Sequence, residues 1–147
     1  MASLTGNKPS KDFWNGKKVL ITGHTGFKGA WLTKWLTVLG AQVVGVSLNP
    51  QEGPSLWNDI ARETPIKDLR ADIRSNTWKV EVESFKPEIC FYLAAQSLVS
   101  VGWEKPKETF EINVGGLANF LDWQNKVTSL RTTLVITSDK VYKLDGA

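Results

Sequence analysis

Two stretches of this sequence hold residue types suited to chemistry. Val19 to Gly29 reads Val-Leu-Ile-Thr-Gly-His-Thr-Gly-Phe-Lys-Gly, an apolar run that opens into three glycines spaced three apart. A turn of this kind binds a dinucleotide: Gly23 makes the tight turn, Gly26 lets backbone N–H groups approach a pyrophosphate, and Gly29 lets the next helix pack on its strand. The phosphates then sit on the partial positive charge of the helix N-terminus. A glycine turn that binds nothing is the plainer alternative, and its flanks weigh against it. Lys17-Lys18 lead into the strand Val19 to Thr22, and Phe27, Trp31, Leu32, Trp35, Leu36 and Leu39 repeat at helical spacing up to a stop at Gly40. The second stretch, Thr137-Ser138-Asp139-Lys140, follows the apolar run Leu134 to Ile136. Residues at the C-terminal end of a parallel strand stand where open α/β sheets bind ligands. Read without context, Asp139 and Lys140 describe a solvated strand-end ion pair.

Strands alternate with helices between these stretches. Ala41 to Leu48 reads as the second strand, closed by Asn49-Pro50. Ser55 caps a short helix through Leu56, Trp57, Ile60 and Ala61, bounded by Pro65. Ile66 to Ala71 is a weaker third strand, and Asn76 opens a helix with Trp78, Val82 and Phe85. Glu88 to Ala94 is almost continuously apolar, as strands buried on both faces of a parallel sheet are. A long helix from about Lys105 to Lys126 carries Phe110, Val114, Leu117, Phe120 and Leu121, with Gly115-Gly116 for close approach, and Leu134 to Thr137 is a fifth strand built for burial. The fold class is α/β, a Rossmann-type doubly wound parallel sheet ordered 3-2-1-4-5. Residues 1–16 read as a loose tail whose Phe13-Trp14 pair docks before the first strand, and residues 17–147 as the nucleotide-binding domain. Trp31, Trp35, Trp78 and Trp123 fall at helix positions where packing is the ordinary explanation.

Bulk properties bound the function. The 147 residues are 41% hydrophobic and 22% charged, which fits one globular domain. The net charge of +3 is spread among interspersed acids and lysines, so a mixed solvated surface explains it and no nucleic-acid partner is expected. The lone Cys90, inside Ile89-Cys90-Phe91-Tyr92-Leu93, excludes an internal disulfide and reads as a small buried hydrophobe; no metal site is expected. The first residues lack the apolar core of a signal peptide and no stretch is long enough to span a membrane, so the expectation is a cytoplasmic protein with no membrane partner.

Five segments in order, Thr-Gly-His-Thr-Gly-Phe-Lys-Gly from Thr22, Asp72-Ile73, Leu93-Ala94-Ala95-Gln96, Asn113-Val114-x-Gly116 and Thr137-Ser138-Asp139-Lys140-Val141-Tyr142, resemble the extended short-chain dehydrogenase/reductase family. Within it the glycine string, Pro54-Ser55-Leu56 and Ser138-Asp139-Lys140 are most similar to CDP-glucose 4,6-dehydratases, whose relatives usually carry Thr-Asp-Glu at the last place. The resemblance implies NAD as cofactor, a CDP-hexose as substrate, and self-association as a homodimer. Thr25, Phe27 and Lys28 would line the pyrophosphate, Asp72 and Ile73 would meet the adenine, Leu93, Ala94, Ala95 and Gln96 would lie along the nicotinamide side, and Thr137 would be a further cofactor-binding residue. His24, the only histidine, would touch the phosphates. Asn113 would hold backbone near the active site or face the fourth strand. Ser138 would hydrogen-bond the sugar hydroxyl under oxidation, Asp139 would protonate the leaving C6 hydroxyl, and Lys140 would assist at C5 or steer Asp139.

Two departures qualify this. NAD sites offer an acid to the adenosine ribose about 20 residues past the glycines, whereas Ser47-Leu48-Asn49 offers none; Asn49 can still bond a ribose hydroxyl, and no Arg or Lys lies between Gly45 and Gly53 to favour NADP. The family's Tyr-x-x-x-Lys is also missing, since Tyr142 is followed by Lys143-Leu144-Asp145-Gly146. The expectation is therefore the NAD-binding part of a longer dehydratase, inactive by itself, against an epimerase or reductase of the same scaffold, or a binding module without chemistry.

Overall fold

A computed structural model describes residues 10–50 and 52–138. Five strands form one parallel sheet in the order β3-β2-β1-β4-β5, the order expected from the sequence. They are β1 (Lys18–Thr22), β2 (Gln42–Ser47), β3 (Lys67–Arg70), β4 (Ile89–Tyr92) and β5 (Thr132–Val135). The order reverses between β1 and β4, and open α/β sheets bind ligands outside the C-terminal strand ends at such a reversal. Helices follow the strands: α1 (Lys11–Trp14) precedes β1, α2 (Phe27–Val38) joins β1 to β2, α3 (Leu56–Ile60) precedes β3, and α4 (Lys79–Phe85) precedes β4. Among the described residues no helix is long and apolar enough to cross a membrane, and no three acid, histidine or cysteine groups gather as metal ligands.

Side-chain alternation along the strands splits the core in two. Leu20, Val44, Val46, Cys90 and Tyr92 face Trp78, Val82, Phe120 and Trp123 on one side, while Val19, Ile21 and Val43 face Leu36 on the other. The first side is an aromatic stack, with Trp78 and Trp123 edge to face at 4.8 Å and Tyr92 and Phe120 at 4.9 Å, geometries that add to plain area burial. Cys90 is fully buried and desolvation pushes its thiol well above the ordinary range, which makes it a packing residue.

Local chemistry explains where elements depart from the expected boundaries. The helix expected from about Lys105 begins earlier and is divided into α5 (Val99–Glu104), α6 (Pro106–Phe110), a π turn (Glu111–Gly115) and α7 (Gly116–Gln124). Pro106 at the first helical position of α6 pushes Lys105 out of the helical region, to φ −133° and ψ 62°, and so separates α5 from α6. The fourth helix starts after Trp78 without a side-chain cap, so Asn76 caps nothing there, although its carbonyl accepts from Lys79 N. Ser55 does cap α3, accepting from Asn58 N at 3.2 Å.

Two packing expectations fail. Trp78 and Trp123 are buried, but Trp31 and Trp35 are 56% and 52% exposed, because α2 carries apolar residues on more than one face and only the face with Ala30, Thr33 and Leu36 is buried. β5 is displaced to Thr132–Val135 and is not buried on both faces: Leu134, beside Phe91 in register, is half exposed, since α2 packs over β1 and β2 rather than over this edge. The tail expected to be loose contains α1, and Trp14 packs against the β1–β2 core near Phe91, while Phe13 stays half exposed.

Candidate dinucleotide site

The glycine turn meets the end of β4 across the sheet's reversal point. Thr22, the last residue of β1, is fully buried and its Oγ1 accepts from both Leu93 N and Ala94 N at 3.1 Å. Gly23 follows at φ +74°, and a Cβ there would come within 2.9 Å of Leu93 O, so both its conformation and its neighbour require glycine. Gly29 is required for a different reason: its Cβ would lie 2.1 Å from Gly23 O, where the first turn of α2 rests on the glycine turn. Gly26 is unlike both. It has an ordinary φ of −73°, it is exposed, and its Cβ would meet only Gly23 O at 3.3 Å. That contact is tight without being an overlap, and Gly26 caps α2 without a side-chain hydrogen bond, so the helix N-terminus is open to an anion. This cradle fits a pyrophosphate. Phe27 and Lys28 are exposed beside it, and Thr25 is tied to the end of β2 through Ser47 Oγ at 2.7 Å and Leu48 O at 3.1 Å.

Asn113 holds the backbone of the loop after β4. Its Oδ1 accepts from Gln96 N at 2.8 Å and its Nδ2 donates to Gln96 O at 2.9 Å, so it clamps the loop after β4. It does so from within the π turn, the sort of helix irregularity that aims side chains at functional sites. The Gln96 side chain continues the clamp to Thr109 Oγ1 and the Leu98 backbone. Gly116 permits the close approach expected of it, since a Cβ there would meet Ile73 at 2.8 Å, whereas Gly115 has open space.

Of the two residues expected to meet the adenine, Ile73 is buried in the core against Gly116, and its carbonyl accepts from Asn119 Nδ2 at 3.0 Å. Asp72 is held by Arg74, which donates Nε at 3.0 Å to both carboxylate oxygens; these bonds pull the Asp72 carboxyl below its ordinary range. Asn49 is exposed at the end of β2. Leu93 and Ala94 are half-buried, Ala95 is exposed, and Thr137 and Ser138 follow β5 on the exposed strand end. Asp139 and Lys140 lie outside the described residues.

His24 does not stand where its sequence position suggests. Its side chain is fully buried among Gly45, Trp57 and Asp68. The imidazole lies across Gly45, whose Cβ would fall 2.5 Å from Nδ1, meets the edge of Trp57 at 4.8 Å, and donates from Nε2 to Asp68 Oδ1 at 3.0 Å. Strand register makes this possible, because Gly45 of β2 is paired with Asp68 of β3. Sequence reading missed Gly45, Asp68 and Trp57 as one unit; the available signal was a glycine inside an otherwise β-branched strand, which marks a close approach.

Burial holds the His24 imidazole below its ordinary value of 6.5, with Asp68 pulling it partly back. Between that lowered value and 6.5 the unfolded chain binds more protons than the folded one, so stability falls as pH drops through this window. His24 is the only histidine. Urea unfolding from pH 7.5 down to pH 5, a range chosen around the ordinary histidine value, is expected to show this loss, and His24→Gln is expected to flatten it. Equal slopes for the two proteins would show that His24 does not titrate with folding. The depressed carboxyls of Asp72 and Glu88 act at lower pH, below their ordinary values of 3.8 and 4.5.

A five-stranded parallel sheet with an open glycine cradle at its reversal point defines a Rossmann-type dinucleotide-binding domain. The chain belongs to the NAD dependent epimerase/dehydratase family, whose sequence model matches residues 19–146. It is 42% identical over 133 residues to the CDP-glucose 4,6-dehydratase of Salmonella typhimurium, covering 90% of this chain and 37% of that enzyme. It is 28% identical to the CDP-paratose 2-epimerase of Salmonella typhi, covering 85% of this chain and 38% of that protein. Among solved structures it is similar to the epimerase Mth375 of Methanothermobacter thermautotrophicus, with a TM-score of 0.77 and 25% identity over 92% of this chain and 39% of that one. MoeE5 in complex with UDP-glucose and NAD matches with a TM-score of 0.71 and 25% identity, covering 88% of this chain and 39% of that one. The chain thus spans under two fifths of the length of these relatives.

Proposed function

We propose that this chain is the NAD-binding part of a CDP-glucose 4,6-dehydratase, which converts a CDP-hexose into its 4-keto-6-deoxy form. The observation that carries the cofactor reading is Gly26, a glycine whose Cβ would overlap no protein atom, exposed at a helix N-terminus without a side-chain cap. Dehydration in preference to epimerisation is supported by Ser138-Asp139-Lys140, because elimination of water needs an acid at the leaving hydroxyl and epimerisation does not. The 42% identity to the Salmonella typhimurium dehydratase supports the same choice.

In this reading the first turn of α2 takes the pyrophosphate on its N–H groups, with Thr25 fixing the turn to the end of β2. Asn113 fixes the Gln96 backbone along the nicotinamide side. Bound NAD supplies the hydride acceptor for C4 and the donor for C6. Ser138 orients the C4 hydroxyl by hydrogen bonding, Asp139 gives its proton to the C6 hydroxyl, which leaves as water, and Lys140 assists removal of the C5 proton or keeps Asp139 in place. The 147 residues lack the tyrosine base of the family, so this chain by itself is expected not to turn over CDP-glucose.

The test has two stages. Calorimetric titration of the chain with NAD is expected to give saturable binding, and its absence overturns the cofactor reading. A chimera that continues the chain with the C-terminal part of the Salmonella typhimurium dehydratase is then supplied with CDP-glucose. The 4-keto-6-deoxy product is expected, with Asp139→Asn lowering kcat by about 10²–10⁴-fold. A folded chimera that epimerises the sugar, or that is indifferent to Asp139→Asn, refutes the dehydratase assignment.

A further inference from the structure

We propose that Arg70 makes the adenosine end of this site receptive to a 2′-phosphate, so that the chain takes NADP as well as NAD; this rests on the dinucleotide reading above. Selectivity for NAD ordinarily comes from an acid at the end of the second strand, which bonds the ribose hydroxyls and repels a phosphate, whereas an arginine nearby accommodates one. The end of β2 here is Ser47-Leu48-Asn49, uncharged and exposed at Asn49. Nothing in the sequence between Gly45 and Gly53 supplies a cation, but the fold brings one from β3.

Arg70 is paired in register with Ser47. Its Nη1 donates to Leu48 O at 3.1 Å, the same carbonyl that accepts from Thr25 Oγ1 at 3.1 Å. One backbone oxygen therefore ties the guanidinium to the glycine turn and to the residue preceding Asn49. Nη2 donates to Asp68 Oδ2 at 2.7 Å, and the guanidinium carbon stands 5.9 Å from the Trp57 ring centre. Asp68 is anchored in turn, its other oxygen accepting from the buried His24. The guanidinium is thus held from three directions while its side chain stays 33% exposed. Two of its five N–H donors are committed to these partners, and the rest suit the fork-like recognition of a phosphate. A fixed fork loses little entropy on binding. The buried histidine serves this arrangement as a positioning residue, through Asp68.

The chain is titrated with NAD, NADP and 2′,5′-ADP by calorimetry, the last probe isolating the adenosine half. NADP is expected to bind within about threefold of NAD, a difference below the tenfold that 1.4 kcal/mol represents. Arg70→Met keeps the apolar stem against Trp57 and is expected to weaken NADP and 2′,5′-ADP by about tenfold or more while leaving NAD within about twofold, as loss of a charge-assisted phosphate contact predicts. Arg70→Lys is expected to restore part of that loss. Asn49→Asp leaves the Arg70 clamp intact and is expected to lower NADP affinity selectively, which guards against a folding defect in the Arg70 variants. NAD binding with NADP more than about a hundredfold weaker in the unaltered chain overturns this proposal and spares the dinucleotide reading. Equal losses of both cofactors in Arg70→Met, with an unchanged ratio in Asn49→Asp, also overturn it and leave Arg70 a cap on Leu48. Failure of every probe to bind refutes the dinucleotide reading itself.

Discussion

Replacing Gly45 with alanine is expected to destabilise the fold by about 2–3 kcal/mol, the upper part of the range for overpacking a tight interior. Gly45 has no unusual backbone requirement, so the cost comes from one contact. A methyl there would stand 2.5 Å from His24 Nδ1 and 2.6 Å from Cγ, and the imidazole has nowhere to move between Trp57 and Asp68. The companion variant His24→Ala removes the obstruction but gives up the Trp57 contact and the Asp68 bond, at a comparable cost. In the double variant the new methyl enters the space vacated by the ring. Its stability is therefore expected to match that of His24→Ala to within about 0.5 kcal/mol, leaving a coupling of about 2 kcal/mol. Urea unfolding of the four proteins measures the cycle at a pH above the histidine window. Additive losses would show that Gly45 and His24 act independently and that the close approach is not what selects glycine.

Gly26→Val is expected to abolish tight NAD binding while sparing the fold. The three glycines of the turn differ in how much room a side chain would find. A Cβ at Gly29 would overlap Gly23 O, and one at Gly23 would press on Leu93 O from a left-handed backbone, so substitution at either disrupts folding and says little about a ligand. At Gly26 a Cβ sits 3.3 Å from Gly23 O, which a shift of a few tenths of an ångström relieves. The valine side chain then fills the approach to the N–H groups of α2. The expected loss is about one to two orders of magnitude in affinity, equivalent to about 1–3 kcal/mol of steric conflict, with a melting temperature within about 3 °C of the parent, a shift that corresponds to less than 1 kcal/mol for a domain of this size. Calorimetric titration beside a thermal melt reads both quantities. Unchanged NAD affinity in a folded variant would place the cofactor elsewhere.

These two variants also separate what sequence determined from what the tertiary structure decided. The strands and the glycine turn were legible because they rest on local rules, and the strand order followed from the fold class that alternating strands and helices define. Apolar runs closed by Gly or Pro mark buried parallel strands, and three glycines between a strand and a helix describe one turn of backbone. The cap at Ser55 was legible for the same reason. Helix boundaries around Lys105 were less so: the apolar spacing of Phe110 to Leu121 fits one continuous helix, but Pro106 and the π turn at Glu111–Gly115 break it, and the break is what sets Asn113 against Gln96. The exposure of Trp31, Trp35 and Leu134 was not legible, because spacing gives the face on which a residue lies and not whether another element covers that face. His24 and Arg70 mark the same limit at the site. His24 sits inside the glycine string, yet its side chain serves the strands below, and Arg70 is over 40 residues from the glycine turn but shares a carbonyl with it. Parallel pairing of β2 with β3 fixes both, by setting Gly45 opposite Asp68 and Ser47 opposite Arg70. Such a register joins residues through strands that are far apart in the chain, so no local pattern encodes it, and only the assembled sheet determines which side chains meet.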